Sequence, residues 1–177
     1  MYSRSQVAQV KPPLDFLPAG RVTWARIADE PPAFILKARE RVRGNRRAGQ
    51  LYEHDVHWHF KKICQYYMPG PWLVFSEAGN HRTRWCQLDG LILDFMQGRL
   101  TIVEVKLRHT ARAWWQVRRL YEPVLKCILP EANWEYRALE VSKHIDPSTS
   151  FPEKLTYVTK PDEVPAGAFG IHLFTGR

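Results

Sequence analysis

The stretch Leu88-Asp89-Gly90-Leu91-Ile92-Leu93-Asp94-Phe95-Met96-Gln97-Gly98-Arg99-Leu100-Thr101-Ile102-Val103-Glu104-Val105-Lys106-Leu107 decides how the chain folds. Two short apolar runs flank Gln97-Gly98, and their Ile, Leu and Val content suits buried strands. A two-residue connection ending in Gly suits a tight hairpin, because Gly tolerates positive φ. With Gln97 and Gly98 as the loop, Met96 faces Arg99, Leu91 faces Glu104 and Asp89 faces Lys106. Opposed residues share a sheet face, as do alternate residues along a strand. Asp89, Glu104 and Lys106 therefore project from one face at one end of the hairpin. Charges in so apolar a setting must be paired, solvated or bound to metal. One reading is a structural Asp89–Lys106 cross-strand pair with Glu104 at a solvated strand end. The other is a site for a hard divalent cation such as Mg²⁺, which takes carboxylate oxygens and keeps waters.

The chain has 177 residues, with 45% hydrophobic and 12% aromatic residues. That is enough for one domain with a real core, and it excludes a disordered chain. No long uncharged apolar segment is present, and the Met1-Tyr2-Ser3-Arg4-Ser5 start lacks the apolar region of a secretory signal. No membrane partner is expected. Three widely spaced cysteines, Cys64, Cys86 and Cys127, argue against a disulfide framework and for a reducing cytoplasm. A net charge of +8 and a pI near 9.6 fit a nucleic-acid partner as well as a generic basic surface.

Residues 1–32 read as an irregular arm broken by Pro12-Pro13, Pro18, Gly20 and Pro31-Pro32, with one short strand or helical turn over Val22 to Ile27. Residues 33–177 read as a single domain. Lys37, Arg39, Arg41, Arg43, Arg46 and Arg47 face a single acid, Glu40, in a segment that is either a solvated helix face or a phosphate-tracking patch. A helix is expected over Ala48 to Tyr67, where Tyr52, Val56, Phe60, Ile63 and Tyr67 fall within about 80° of one another on a helical wheel. Glu53 lies just past the edge of that stripe, beside His57. His54, His57 and His59 invite a zinc reading, but no paired Cys or His-Glu-x-x-His pattern accompanies them.

Strands are expected over Trp72 to Ser76, Trp85 to Phe95, Arg99 to Leu107, Glu135 to Val141 and Gly170 to Phe174. His81, Arg82 and Arg84 sit in or beside a loop from which they could reach phosphate. A helix begins near Thr110, with Ala111, Trp114, Val117, Tyr121, Leu125 and Ile128 on its apolar side. Gln116, Arg112 and Arg119 lie on its flank, and Pro123 should kink or end it. Glu140-Val141-Ser142-Lys143 reads as an ordinary strand end, because no Asp on an adjoining hairpin accompanies it.

Asp89, fourteen intervening residues, then Glu104-Val105-Lys106 resembles the signature of the PD-(D/E)XK nuclease superfamily, which includes restriction endonucleases, RecB-type and lambda-exonuclease-like nucleases and Holliday-junction resolvases. The resemblance spans roughly residues 44 to 143 and departs at Leu88, where the motif has Pro. It implies an α/β fold: a restriction-endonuclease-like core with a mixed central β-sheet flanked by helices, in the order αβββαβ. It implies Asp89, Glu104 and the Val105 backbone carbonyl as ligands of Mg²⁺ or Mn²⁺, and Lys106 as the group that orients or deprotonates water. Gly49-Gln50-Leu51-Tyr52-Glu53 matches the Gly-x-x-x-Glu of resolvases, which adds Glu53 to the metal site. Gln116 corresponds to a Gln that supports the active site. The usual Tyr a turn later is one residue out of step at Tyr121, so Tyr121 is not carried over.

The resemblance implies a metal-dependent DNA nuclease acting in end processing, repair, recombination or phage and mobile-element metabolism. Arg39, Arg43, Arg46, Arg47, Arg82, Arg84, Arg112 and Arg119 would then contact DNA, with a homo-oligomer or larger nucleoprotein assembly possible. Two alternatives stand beside it: a non-catalytic DNA-binding or assembly factor on the same fold, and a zinc-held binding module.

Overall fold

The computed structural model describes residues 21–28, 30, 33, 45–146 and 149–176, and for residues 45, 46 and 80–82 the backbone alone. The fold is α/β, with two sheets. Strand β1 (Val22–Ala28) pairs antiparallel with β3 (Trp72–Glu77), which pairs antiparallel with β4 (Asn80–Gln87). A six-stranded mixed sheet runs β2 (Tyr67–Pro69), β5 (Gly90–Asp94), β6 (Arg99–Arg108), β7 (Glu135–His144), β9 (Phe169–Leu173) and β8 (Leu155–Val158). Its β2, β5 and β6 are antiparallel, whereas β6, β7, β9 and β8 are parallel neighbours.

Alternation along β6 explains the two-sided core. Leu100 and Ile102 face one side with Leu91, Leu93, Ala138 and Ile171, where the second helical segment packs through Ala113, Val117, Tyr121, Val124 and Leu125. Val103 and Val105 face the other side, against Tyr52, Val56 and Phe60 of helix α1 (Asn45–Ile63). Leu73 and Phe75 of the small sheet join the first of these clusters. The apolar stripe expected on α1 is therefore used at Tyr52, Val56 and Phe60, whereas Ile63, the last helical residue, is exposed, and Tyr67 reaches the same core from β2.

The hairpin register differs from the sequence expectation. Gly90 pairs with Val103 and Asp94 with Arg99, so the loop is the four residues Phe95 to Gly98. Asp94 Oδ1 accepts the Met96 and Gln97 N–H groups at 3.1 Å each, closing an Asx-type turn, and Gly98 completes it at φ +61°. The slip is two residues, so every side chain keeps its face. Continued to Asp89, this register sets Asp89 across from Glu104 and not from Lys106.

The strand expected from Trp85 to Phe95 is two strands in different sheets, and the chain crosses between them at Leu88-Asp89. The Leu88 N–H donates to the Pro71 carbonyl at 3.0 Å, and the Gly70 N–H donates to the Asp89 carbonyl at 2.9 Å, pinning the crossing. The loop expected over Ala78 to Thr83 is shorter, since β4 already begins at Asn80. β1 lies inside the segment read as an arm, yet it pairs with β3 along its length.

The helix expected from Thr110 is built as α2 (Ala111–Gln116), a π-helical turn over Val117–Tyr121 and α3 (Glu122–Ile128). Pro123 has no N–H to give, and it sits in the first turn of α3, where none is needed. The widened turn just before it inserts a residue without breaking the rod. Among the described residues, no helix is long and apolar enough to cross a membrane.

Candidate active site

Asp89 stands at the crossing between the sheets, where its backbone is held by Gly70. Its Oδ2 accepts the Val105 N–H at 2.7 Å, so the carboxylate is tied to the strand that carries Glu104 and Lys106. Glu104 is fully buried. Its Oε1 accepts from the Lys106 ammonium, and its Oε2 has no partner. Lys106 Nζ also lies 4.0 Å from Asp89 Oδ2. The two carboxylates and the lysine are therefore together, with Lys106 reaching back along its own strand to Glu104 and across to Asp89.

Burial drives the electrostatics. It pushes the Glu104 carboxyl up to about 8, Asp89 pushes the same way, and Lys106 pulls against both. Burial also raises Asp89, opposed chiefly by Lys106, with Glu53 adding to the rise and the Val105 N–H and His57 reducing it. Burial works against the Lys106 charge, but Glu104 and Asp89 outweigh it and hold the ammonium above its ordinary value.

Two hydroxyl-bearing shells flank this centre. From α1, Glu53 Oε1 lies 3.3 Å from His57 Nε2, and His57 Nδ1 lies 2.6 Å from the Tyr67 hydroxyl. Burial raises the Tyr67 hydroxyl far above its ordinary range, and nearby Asp89 and Glu53 add to that. Glu53 thus sits close enough to Asp89 to act on it. Gly90 makes room here, because a Cβ at that position would stand 2.5 Å from the Tyr67 ring and hydroxyl.

From the opposite side, Gln116 Nε2 donates to the Tyr121 hydroxyl at 3.0 Å, and that hydroxyl donates to the Gln87 carbonyl at 3.0 Å. Tyr121 is raised well above its ordinary value by burial and then by Glu104 and Asp89. The five-residue step from Gln116 to Tyr121 looks out of phase on an α-helix. On the π turn, with its i→i+5 period, the two residues meet. The sequence reading missed Tyr121 for that reason.

Glu140 was missed as well. It pairs in register with Glu104 on the adjacent parallel strand and is equally buried. Its Oε2 lies 2.9 Å from His109 Nδ1, and its Oε1 has no partner. No sequence pattern announces this, because parallel register depends on the crossover through α2 and α3.

The proposed basic contacts disperse. Arg39 and Arg43 lie outside the described residues, as do the side chains of Arg46 and Arg82. Arg47, near the start of α1, and Arg112, at the start of α2, are exposed. Arg84 is tied to Glu77 and lies over the Phe75 ring. Arg119 lies over Trp114 and Trp115, with its Nε buried and unpartnered. The three histidines point to different neighbours: His54 to Asp55 at 3.9 Å, His57 to Glu53 and Tyr67, and His59 to a stack on Phe174. A cleft of about 760 Å³ opens where α1 ends, lined by Thr101, Arg137 and Asp162 among others. None of the carboxylates at the Asp89–Glu104 centre lines it.

Among the described residues, no group of three or more His, Cys, Asp and Glu side chains is placed to hold a metal ion. Two carboxylates nonetheless fit a hard divalent cation, which commonly takes one or two from the protein and the rest from water and substrate phosphate. The unpartnered, fully buried Glu104 Oε2 is the specific observation in favour, since a buried carboxylate oxygen calls for a donor or a cation. No family model, curated protein or solved structure matches this chain.

Proposed function

We propose that the protein is a metal-dependent DNA nuclease with a restriction-endonuclease-like core, in keeping with the motif that Asp89 and Glu104-Val105-Lys106 resemble. The single observation that carries the reading is the meeting of Asp89, Glu104 and Lys106 at one end of β5 and β6, with Asp89 bonded to the Val105 N–H. Ionised groups are costly to bury, so a cluster of two carboxylates and one lysine at this point favours a site that holds a further cation over a plain structural pair.

Asp89, Glu104, the Val105 carbonyl and Glu53 would hold Mg²⁺ or Mn²⁺. Such an ion supplies positive charge against the phosphoryl oxygens and makes water a better nucleophile at neutral pH. Lys106 holds a proton at Nζ beside both carboxylates and is placed to orient the attacking water and to offset charge developing on the phosphate. Gln116 and Tyr121 fix one another and the Gln87 carbonyl, so they steady the wall beside Glu104. His57 and Tyr67 orient Glu53 in the same way.

Of the arginines expected to contact DNA, Arg47 and Arg112 are the two that are exposed among the described residues and so free to meet a duplex. Replacing Arg43, Arg46 and Arg47 together with Gln is expected to weaken duplex binding and flatten its salt dependence. The log–log slope should fall by about 0.9 for each phosphate that these side chains neutralise in the wild type. Fluorescence anisotropy across a salt series measures this, and an unchanged slope would assign these arginines to solvent or to other protein groups.

The test of the function is digestion of linear, circular, single-stranded and branched DNA by the purified chain, with Mg²⁺ and with chelator. Metal-dependent products on any of these support the nuclease. DNA binding without cleavage would favour a binding or assembly factor.

A further inference from the structure

The buried pair Glu140–His109 takes no part in the reaction proposed above, yet it sits one strand from Glu104. The parallel register of β6 and β7 sets Glu104 and Glu140 side by side on the same face, and adjacent strands lie about 4.8 Å apart. Both carboxylates are fully buried, and each has one oxygen without a partner. The other Glu140 oxygen is fixed by His109 Nδ1 at 2.9 Å, and the imidazole is itself buried against the Phe151 ring at 4.7 Å between centroids. Glu140 is thus a carboxyl group locked in place one strand from a second buried carboxyl group. For stability alone that is a poor arrangement, since a neutral side chain of the same shape would bond His109 without repelling Glu104.

We propose that Glu140, anchored by His109, is a positioning residue whose buried negative charge raises the affinity of the Asp89–Glu104 pair for a divalent cation without itself being a ligand. The proposal rests on the metal site described under the proposed function. Its logic is Coulombic: a fixed charge in a poorly screened interior acts strongly on a doubly charged ion a few ångströms away. It also acts on Lys106, whose ammonium it helps to hold in the charged form.

The experiment is equilibrium Mn²⁺ binding to the full chain at pH 8, followed by the electron paramagnetic resonance signal of free Mn²⁺, with melting temperatures of the metal-free proteins. Wild type, Asp89→Ala, Glu140→Gln and Glu140→Asp are compared. Glu140→Gln is expected to weaken Mn²⁺ binding by about tenfold or more, with a melting temperature equal to or above that of wild type. Glu140→Asp keeps the charge and is expected to keep the affinity. Mn²⁺ binding that is lost in Asp89→Ala but unchanged in Glu140→Gln would overturn this proposal and leave the metal site standing. Equal weakening by Gln and Asp, or a Gln variant that no longer folds, would make Glu140 a packing anchor and overturn it too. A wild-type protein that binds no Mn²⁺ would overturn both the proposal and the reading beneath it.

Discussion

Lys106→Met is expected to lose cleavage by about two to four orders of magnitude while keeping Mn²⁺ binding and DNA binding. Met preserves much of the aliphatic stem, so the packing loss is small. Breaking a buried ion pair from one side ordinarily costs about 3–5 kcal/mol, because it strands a charge. Here the stranded partner has an escape. The Glu104 carboxyl is already pushed up to about 8 and takes a proton below that pH. The stability cost at pH 6 should therefore be modest, and a divalent cation should remove it at pH 8. Cleavage rate, melting temperature and Mn²⁺ titration on the same variant separate the roles. Near-normal cleavage with a large fall in melting temperature would make Lys106 structural and remove its catalytic role.

Glu104→Gln is expected to abolish metal-dependent cleavage and, in metal-free protein, to make the fold more stable above neutral pH. The sign follows from linkage. The Glu104 carboxyl is raised from 4.5 to about 8, so its contribution is fully present below 4.5 and is lost as pH rises through about 8. Asp89 and Glu140 are raised as well, and they act in the same direction. Lys106 is raised above 10.5, so its contribution holds across this window and is lost only at higher pH. Wild-type melting temperature without metal should thus fall between about pH 5 and pH 9. Mg²⁺ should reverse the fall by binding the ionised pair. Glu104→Gln should show a flatter profile and no response to Mg²⁺. A wild-type profile that is flat or rises across that window would show that Glu104 is ionised and satisfied without a cation.

Much of this centre is legible in the amino-acid sequence, for a physical reason. Two apolar runs around Gln97-Gly98 could hardly be anything but adjacent strands. The period of two then places Asp89, Glu104 and Lys106 on one face whether the register is taken correctly or two residues away. The slip itself came from Asp94, whose side chain caps the turn and lengthens the loop, a local bond that an apolar pattern does not encode. The place of Glu53 at the edge of the α1 stripe was legible because an α-helix with a clear stripe fixes the angle of every residue on it.

Tyr121 was not legible, because the π turn before Pro123 shifts its phase by one residue. Glu140 was not, because parallel partners are set by the crossover and not by neighbours in sequence. The short strands β2 and β8 have too few residues to show a period. The split at Leu88-Asp89 hides inside one continuous run of strand-forming residues.

Every role assigned above depends on Asp89 and Glu104 holding a divalent cation that cleaves DNA. The decisive measurement is the cleavage rate of one DNA substrate as Mg²⁺ is titrated, for wild type beside Asp89→Ala. Wild type should show a saturable rise from a metal-free baseline, and Asp89→Ala should show none. The Asp89 side chain keeps some exposure, so its removal opens no core cavity and should leave the melting temperature largely intact. Equal Mg²⁺-dependent rates in the two proteins, or no metal-dependent cleavage by wild type, would contradict the assignment.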